Sequence, residues 1–192
     1  MSISVVFYKS SGEITRVRSG SVAGVTHDAE SSGGTYLMTD ESVDVNANYI
    51  SSGEVLTKPP QPNDGSVFDF SSGEWAFDIE LARSLRWTEV KGSRSAYEFG
   101  TFELNGNVYQ CDEVSQRRIQ GAVQLAVLDS EMTIDWTLAD NSVIQLTAAQ
   151  LIVVGGALAA HVNLSHERGR ILRAEIEMAS TEIELEAITW SI

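Results

Sequence analysis

A chain of 192 residues has room for one substantial domain or two small ones. With 43% apolar and 21% charged residues, its composition is that of a globular protein, not a disordered or fibrous one. The formal charge is −14 and the 13 basic residues are scattered in loose groups such as Arg16/Arg18 and Arg168/Arg170/Arg173, which excludes nucleic acid and an anionic membrane surface as expected partners.

The opening residues, Met-Ser-Ile-Ser-Val-Val-Phe-Tyr-Lys, lack a charged start and a long apolar core, so no signal peptide is expected. Short strand-like runs follow near 3–9, 13–18, 35–39, 45–50 and 54–57, with a helical or irregular piece around 21–30. The tetrapeptide Ser-Ser-Gly-Glu occurs three times, at Ser10–Glu13, Ser51–Glu54 and Ser71–Glu74. Glycine in third place suits a three-residue hairpin loop, a type I turn closed by a left-handed residue. Residues 1–57 therefore read as a β-rich module suited to attachment.

Residues 58–78 form a connector and a hairpin. Pro59, Pro60 and Pro62 favour an extended, stiff spacer and exclude both helix and central strand. The hairpin pairs Val67–Phe70 with Trp75–Asp78 around the third repeat.

From residue 79 to 192 an α+β domain is expected, built of two β-hairpins and three or four helices. The first helix spans 79–98, with Leu81 and Leu85 at helical spacing. Asn105-Gly106 predicts a two-residue hairpin turn that sets Phe102 opposite Tyr109. Asp112 is placed to cap a helix reaching Leu128, with Val114, Ile119, Val123 and Ala126 on its apolar face. For the second hairpin a loop of Asp140-Asn141-Ser142 puts Trp136 opposite Leu146 and Leu138 opposite Ile144. Thr147-Ala-Ala-Gln150 has capping-box form and opens the longest helix, about 148–179. Along it Leu151, Gly155, Leu158, Val162, Ser165, Gly169, Leu172, Ile176 and Ala179 recur at steps of four and three. Such a seam suits a partner helix, either the one beginning at Glu113 or the same helix of another subunit. Thr181-Glu-Ile-Glu184 repeats the capping box and starts a short last helix ending near Trp190. The longest uninterrupted apolar stretch, 151–160, is too short to cross a bilayer.

Residues that could carry chemistry do not assemble by spacing. The single cysteine, Cys111, excludes an internal disulfide and a thiolate zinc site. It lies at a strand-to-helix junction with no base nearby. His161 and His166 are five apart, off a shared helical face, and no His-Glu-x-x-His pattern accompanies them or His27. Neither a nucleophile elbow nor a phosphate-cradling glycine loop is present. No catalytic residue, cofactor or metal is therefore expected, and the chain reads as a non-enzyme. Trp75, Trp87 and Tyr97 remain as candidate interaction residues, able to stack on a ligand such as a sugar or to serve a core.

From about Asn48 onward a series of motifs runs in order. It begins with Tyr49-Ile-Ser-Ser-Gly-Glu-Val-Leu-Thr-Lys-Pro-Pro-Gln-Pro62, Val67-Phe-Asp-Phe70 and Trp75. Leu81-Ala-Arg-Ser-Leu-Arg-Trp87, Phe99, Phe102, Asp112, Ser115 and Arg118-Ile119-Gln-Gly-Ala122 come next. Ile134-Asp-Trp-Thr-Leu-Ala-Asp-Asn141, His161, His166 and Glu186-Ala-Ile-Thr-Trp190 complete it. In this series the chain resembles phage and prophage tail-fibre-associated proteins that end in a domain of no assigned function. The part through Pro62 and Trp75 is also similar to the opening of phage tail-fibre assembly proteins. The resemblance implies a virion tail, baseplate or fibre component, made in the host cytoplasm. It would bind other tail proteins or further copies of itself, with threefold order favoured. An assembly chaperone absent from the virion is the alternative, and a glycan- or receptor-binding domain a third reading. The resemblance supplies no catalytic residues.

Overall fold

The computed structural model describes residues 3–191, and its contacts divide the chain into two units, Met1–Ala82 and Arg83–Ile192. Together they form the expected α+β architecture, with eleven strands and five helices among the described residues.

In the first unit β1 (Ile3–Tyr8) is the centre of an antiparallel sheet in the order β2-β1-β3, with β2 at Ile14–Gly20 and β3 at Tyr36–Thr39. The run Val-Val-Phe in β1 does not alternate with polar residues because both faces are covered. Val5 and Phe7 meet Val25 and Ala29 of helix α1 (Val22–Ser32), whereas Val6 packs with Ile14 and Ile50. Ser21 caps α1 by accepting the Gly24 N–H, and Gly33 ends it in a left-handed conformation at φ +65°.

Two hairpins follow, β4 (Asn48–Ser51) with β5 (Glu54–Thr57) and β6 (Ser66–Asp69) with β7 (Glu74–Phe77). Phe68 gathers Tyr49, Phe70 and Trp75 edge-on at ring separations of 4.9, 5.1 and 5.3 Å. The Trp75 indole donates to the Pro59 carbonyl at 2.8 Å, which ties the proline connector to this cluster.

All three Ser-Ser-Gly-Glu copies are hairpin turns, but only the first has the expected form. There the Gly12 N–H donates to the Lys9 carbonyl and the Lys9 N–H to the Glu13 carbonyl, the three-residue loop with its left-handed glycine. In the second, Ser52 and Gly53 are both at positive φ, a two-residue turn. In the third, Asp69 pairs with Glu74 across a four-residue loop. The constant element is glycine in the left-handed position just before the next strand. Where the preceding strand stops sets the loop length.

In the second unit, helix α2 (Ile79–Glu98, here from Arg83), strands β8 (Thr101–Leu104) and β9 (Asn107–Gln110), and helix α3 (Glu113–Leu128) come first. Strands β10 (Thr133–Thr137) and β11 (Val143–Thr147) and helices α4 (Ala148–Met178) and α5 (Glu182–Ala187) complete it. The Asn105-Gly106 turn forms as expected, both residues at positive φ, and Phe102 stacks on Tyr109 at 5.2 Å. Asp112 caps α3 through the Val114 and Ser115 N–H groups, and both capping boxes are made, Thr147 with Gln150 and Thr181 with Glu184. Phe102, Tyr109, Ile119, Leu146, Leu151 and Leu158 belong to one core shared by the hairpins, α3 and α4.

Helix α4 is partnered within the chain on two sides. At its N-terminal half it meets α3, where Gly155 sits against Val123. Further along, it meets α2: the Tyr97 ring stacks on His161 at 4.4 Å, the Arg94 stem crosses Gly169, and Arg83 donates to the Ala179 carbonyl. The buried line is Leu151, Val154, Leu158, His161, Ser165, Gly169, Leu172, Ile176 and Ala179. Gly155 and Val162, expected on it, are half-buried at its edge.

Three further expectations are corrected. Trp136 pairs with Ile144, not Leu146, and Leu138 lies opposite Ser142 through its N–H, not opposite Ile144. The loop does have three residues, but they are 139–141. Asn141 takes the left-handed position at φ +67°, which the expected loop would have assigned to Ser142. Asparagine tolerates that conformation better than serine, and the slip of two residues keeps every side chain on its face. Leu85 and Val114 are exposed and not core. The last helix stops at Ala187, short of Trp190.

Candidate functional site

The three aromatic candidates are each engaged inside their own unit. Trp75 is held by Phe68 and the Pro59 carbonyl. Trp87 and Tyr97 share the α2 face that lies against α4. The Arg173 guanidinium stands 5.3 Å over the Trp87 ring. Tyr97 is sandwiched near His161 and, at 6.2 Å, Trp190, and His161 donates from Nε2 to the Tyr97 carbonyl at 2.9 Å. Ten residues separate Trp87 from Tyr97, about 15 Å along a helix, so the two rings do not make one platform.

Among the described residues no group of three or more His, Cys, Asp or Glu is arranged to hold a metal. His161 is buried by its stacking, and His166 pairs with Glu98 at 3.3 Å. Burial pushes the Cys111 thiol up from its ordinary range, against a weaker lowering by the Gln116 amide, which leaves it a poor nucleophile. The carboxyl groups that depart from ordinary values depart downward. Asp69, Asp112 and Asp140 are held there first by the hydroxyls of Ser71, Ser115 and Ser142, and Glu184 first by the Ser180 N–H. These are turn and cap interactions, whereas a general acid at neutral pH needs the opposite shift.

The outward surface of α4 is a further feature, absent from the residues singled out above. Opposite the buried line run Val153, Gly156, Ala160, Leu164, Ile171, Ala174 and Met178, all exposed and three or four residues apart except across Glu167. Met178 is 83% exposed, as is Leu128 at 84% near the end of α3. The signal was available in the sequence: a second apolar stripe half a turn from the first. Beside it, a groove of about 750 Å³ between α3 and α4 is lined by Gln120, Val123 and Gln124 of α3 and by Gly155, Ala159 and Val162 of α4. A second cavity, about 450 Å³, opens between α3 and β10, with Arg118, Trp136 and Thr137 in its wall.

The expectation from uninterrupted apolar length needs one amendment. An 18-residue window of α4 has mean hydropathy 1.4, enough by length and composition to cross a membrane, and 33% of that window is buried in protein. A core helix meets the same criterion, and α4 packs on α3 through Gly155 and on α2 through His161 and Gly169.

Residues 81–189 match the family model described as Domain of unknown function (DUF4376), more than half of the chain. The chain belongs to this family. No curated protein and no solved structure matches it. The DUF4376 match begins and ends within three residues of the second unit, and so takes in both hairpins, α3, α4 and α5. The family description carries no activity.

Proposed function

We propose that this DUF4376 protein is a structural or attachment component of a bacteriophage tail, in the tip, baseplate or fibre, and that it works by binding other proteins. The observation that carries the binding reading is the outward face of α4. From Val153 to Met178 it presents an apolar stripe about 38 Å long at ~1.5 Å per residue. Isolated exposed apolar side chains are ordinary, but apolar residues aligned along one helix face, here interrupted once by Glu167, support a contact surface. The tail assignment draws on the ordered motifs from Tyr49 to Trp190 that resemble tail-fibre-associated proteins. Further copies of the chain and neighbouring tail proteins are the proposed partners, with threefold order favoured.

The assembly-chaperone reading keeps one specific support, the likeness of the segment through Pro62 and Trp75 to tail-fibre assembly proteins. A sugar-stacking role has less, because the Trp87 and Tyr97 rings already face Arg173 and His161. Quantitative mass spectrometry of purified virions separates the first two. Stoichiometric presence is expected. Absence, together with co-purification on an immature fibre, would transfer the assignment to the chaperone.

A further inference from the structure

Strand β10 has one edge occupied by β11, and among the described residues no strand pairs with the other. The hairpin closure fixes which backbone groups that free edge offers. Leu138 donates its N–H to the Ser142 carbonyl at 2.9 Å, so residues 138, 136 and 134 turn their N–H and C=O toward β11. The intervening residues 135 and 137 turn theirs away. Ala139 belongs to the same outward series, and it donates to the Val108 carbonyl of β9 at 3.0 Å. Past that bond β9 and β10 part company, and no further backbone bond joins them among the described residues.

The 450 Å³ cavity lies in the wedge between them. Four consecutive residues, Ile134 to Thr137, line it together with Gln110 of β9 and Arg118 and Leu125 of α3. Successive strand residues face opposite sides of a sheet, so a cavity that touches all four runs along the strand edge. Arg117 is paired with Glu113, but Arg118 is exposed and has no acidic partner among the described residues. The wedge thus combines an unmatched backbone row, an apolar wall and two side chains of opposite charge that form no ion pair among the described residues, Arg118 of α3 and Asp135 of β10.

We infer that this edge accepts an extended peptide strand from a partner protein, bonded to the backbone of Asp135 and Thr137, with an acidic side chain set against Arg118. Strand addition draws its affinity from main-chain bonds and its selectivity from alternate side chains. Here one face of the guest would look toward Leu125 and Arg118, which calls for apolar and acidic residues two apart. The inference rests on the protein-binding reading and specifies the partner's chemistry.

The test uses the full chain, isotopically labelled for amide spectra, titrated with the capped hexapeptide Val-Thr-Glu-Thr-Val-Thr. Two analogues are N-methylated at every second residue, one in each frame. Shifts centred on the amides of Asp135 and Thr137 are expected, with binding lost for one methylated frame and kept for the other. Arg118→Gln should weaken the glutamate peptide by roughly two- to fivefold and leave its glutamine analogue unchanged. Thr137→Pro, which removes an outward N–H without touching a bond to β11, should abolish binding in a folded protein. Silence of those amides at millimolar peptide, or equal binding of both methylated frames, overturns the inference. Absence of the protein from virions would remove the tail role and leave these spectra as they are.

Discussion

Gly155 and Gly156 are neighbours on α4 with opposite surroundings. A Cβ on Gly155 would stand 2.5 Å from a Val123 methyl, whereas one on Gly156 meets nothing within 4 Å. Replacing either by alanine gains the same helix propensity, about 1 kcal/mol, so their difference isolates the contact with α3. Gly156→Ala should stabilise, and Gly155→Ala should fall below it by about 1–3 kcal/mol from overpacking. Urea unfolding of the two variants checks this, and Val123→Ala in the Gly155→Ala background should recover part of the loss. At Asp112 the Ser115 hydroxyl and the Ser115 and Val114 N–H groups hold the carboxyl below its unfolded value. A depressed folded pKa stabilises above the unfolded value, about 3.9, and the contribution disappears as pH falls through the folded one. The advantage of wild type over Asp112→Asn at pH 7 should therefore shrink in melting curves taken progressively below pH 4.

At the scale of elements, caps and turns were the most legible features, because each is a local bargain between a side chain and the nearest backbone groups. Thr147, Thr181, Asp112 and Asn105-Gly106 all do what their spacing predicts. Thr147→Ala should cost about 1 kcal/mol in urea unfolding, since α4 begins directly on that hydroxyl. Two things were not legible. The register of the β10–β11 hairpin turns on whether Asn141 or Ser142 adopts positive φ, a choice worth less than the pattern of apolar residues can resolve. The inward face of α2 was the other. Leu81 and Leu85 suggest one face, but Leu85 is exposed and the helix meets α4 through Arg83, Trp87, Arg94 and Tyr97. Arginines that lay their stems over Gly169 and reach the Ala179 carbonyl bury like apolar groups while scoring as polar ones. The candidate aromatics show the same limit. Sequence finds the rings, and only packing tells that Arg173 and His161 already cover two of them.

For the molecule as a whole, the −14 charge and the outward stripe of α4 oppose each other. Like charges repel copies of the chain while the stripe attracts them, and salt screens only the first. Light scattering should show association increasing from low salt to about 0.5 M, where the Debye length falls to roughly 4 Å, and Ile171→Glu should remove that increase without changing the fold. If association instead weakened with salt, the stripe would not be the contact. Cys111 offers an independent view of the two units. It is the lone sulfhydryl, 0% exposed, and it belongs to the C-terminal half of the division. An alkylating dye can reach it only when that half opens, so the labelling rate is a stopwatch for one domain while the other stays chemically silent. Read beside circular dichroism of the entire polypeptide, that clock would reveal whether the halves melt in one step or in succession.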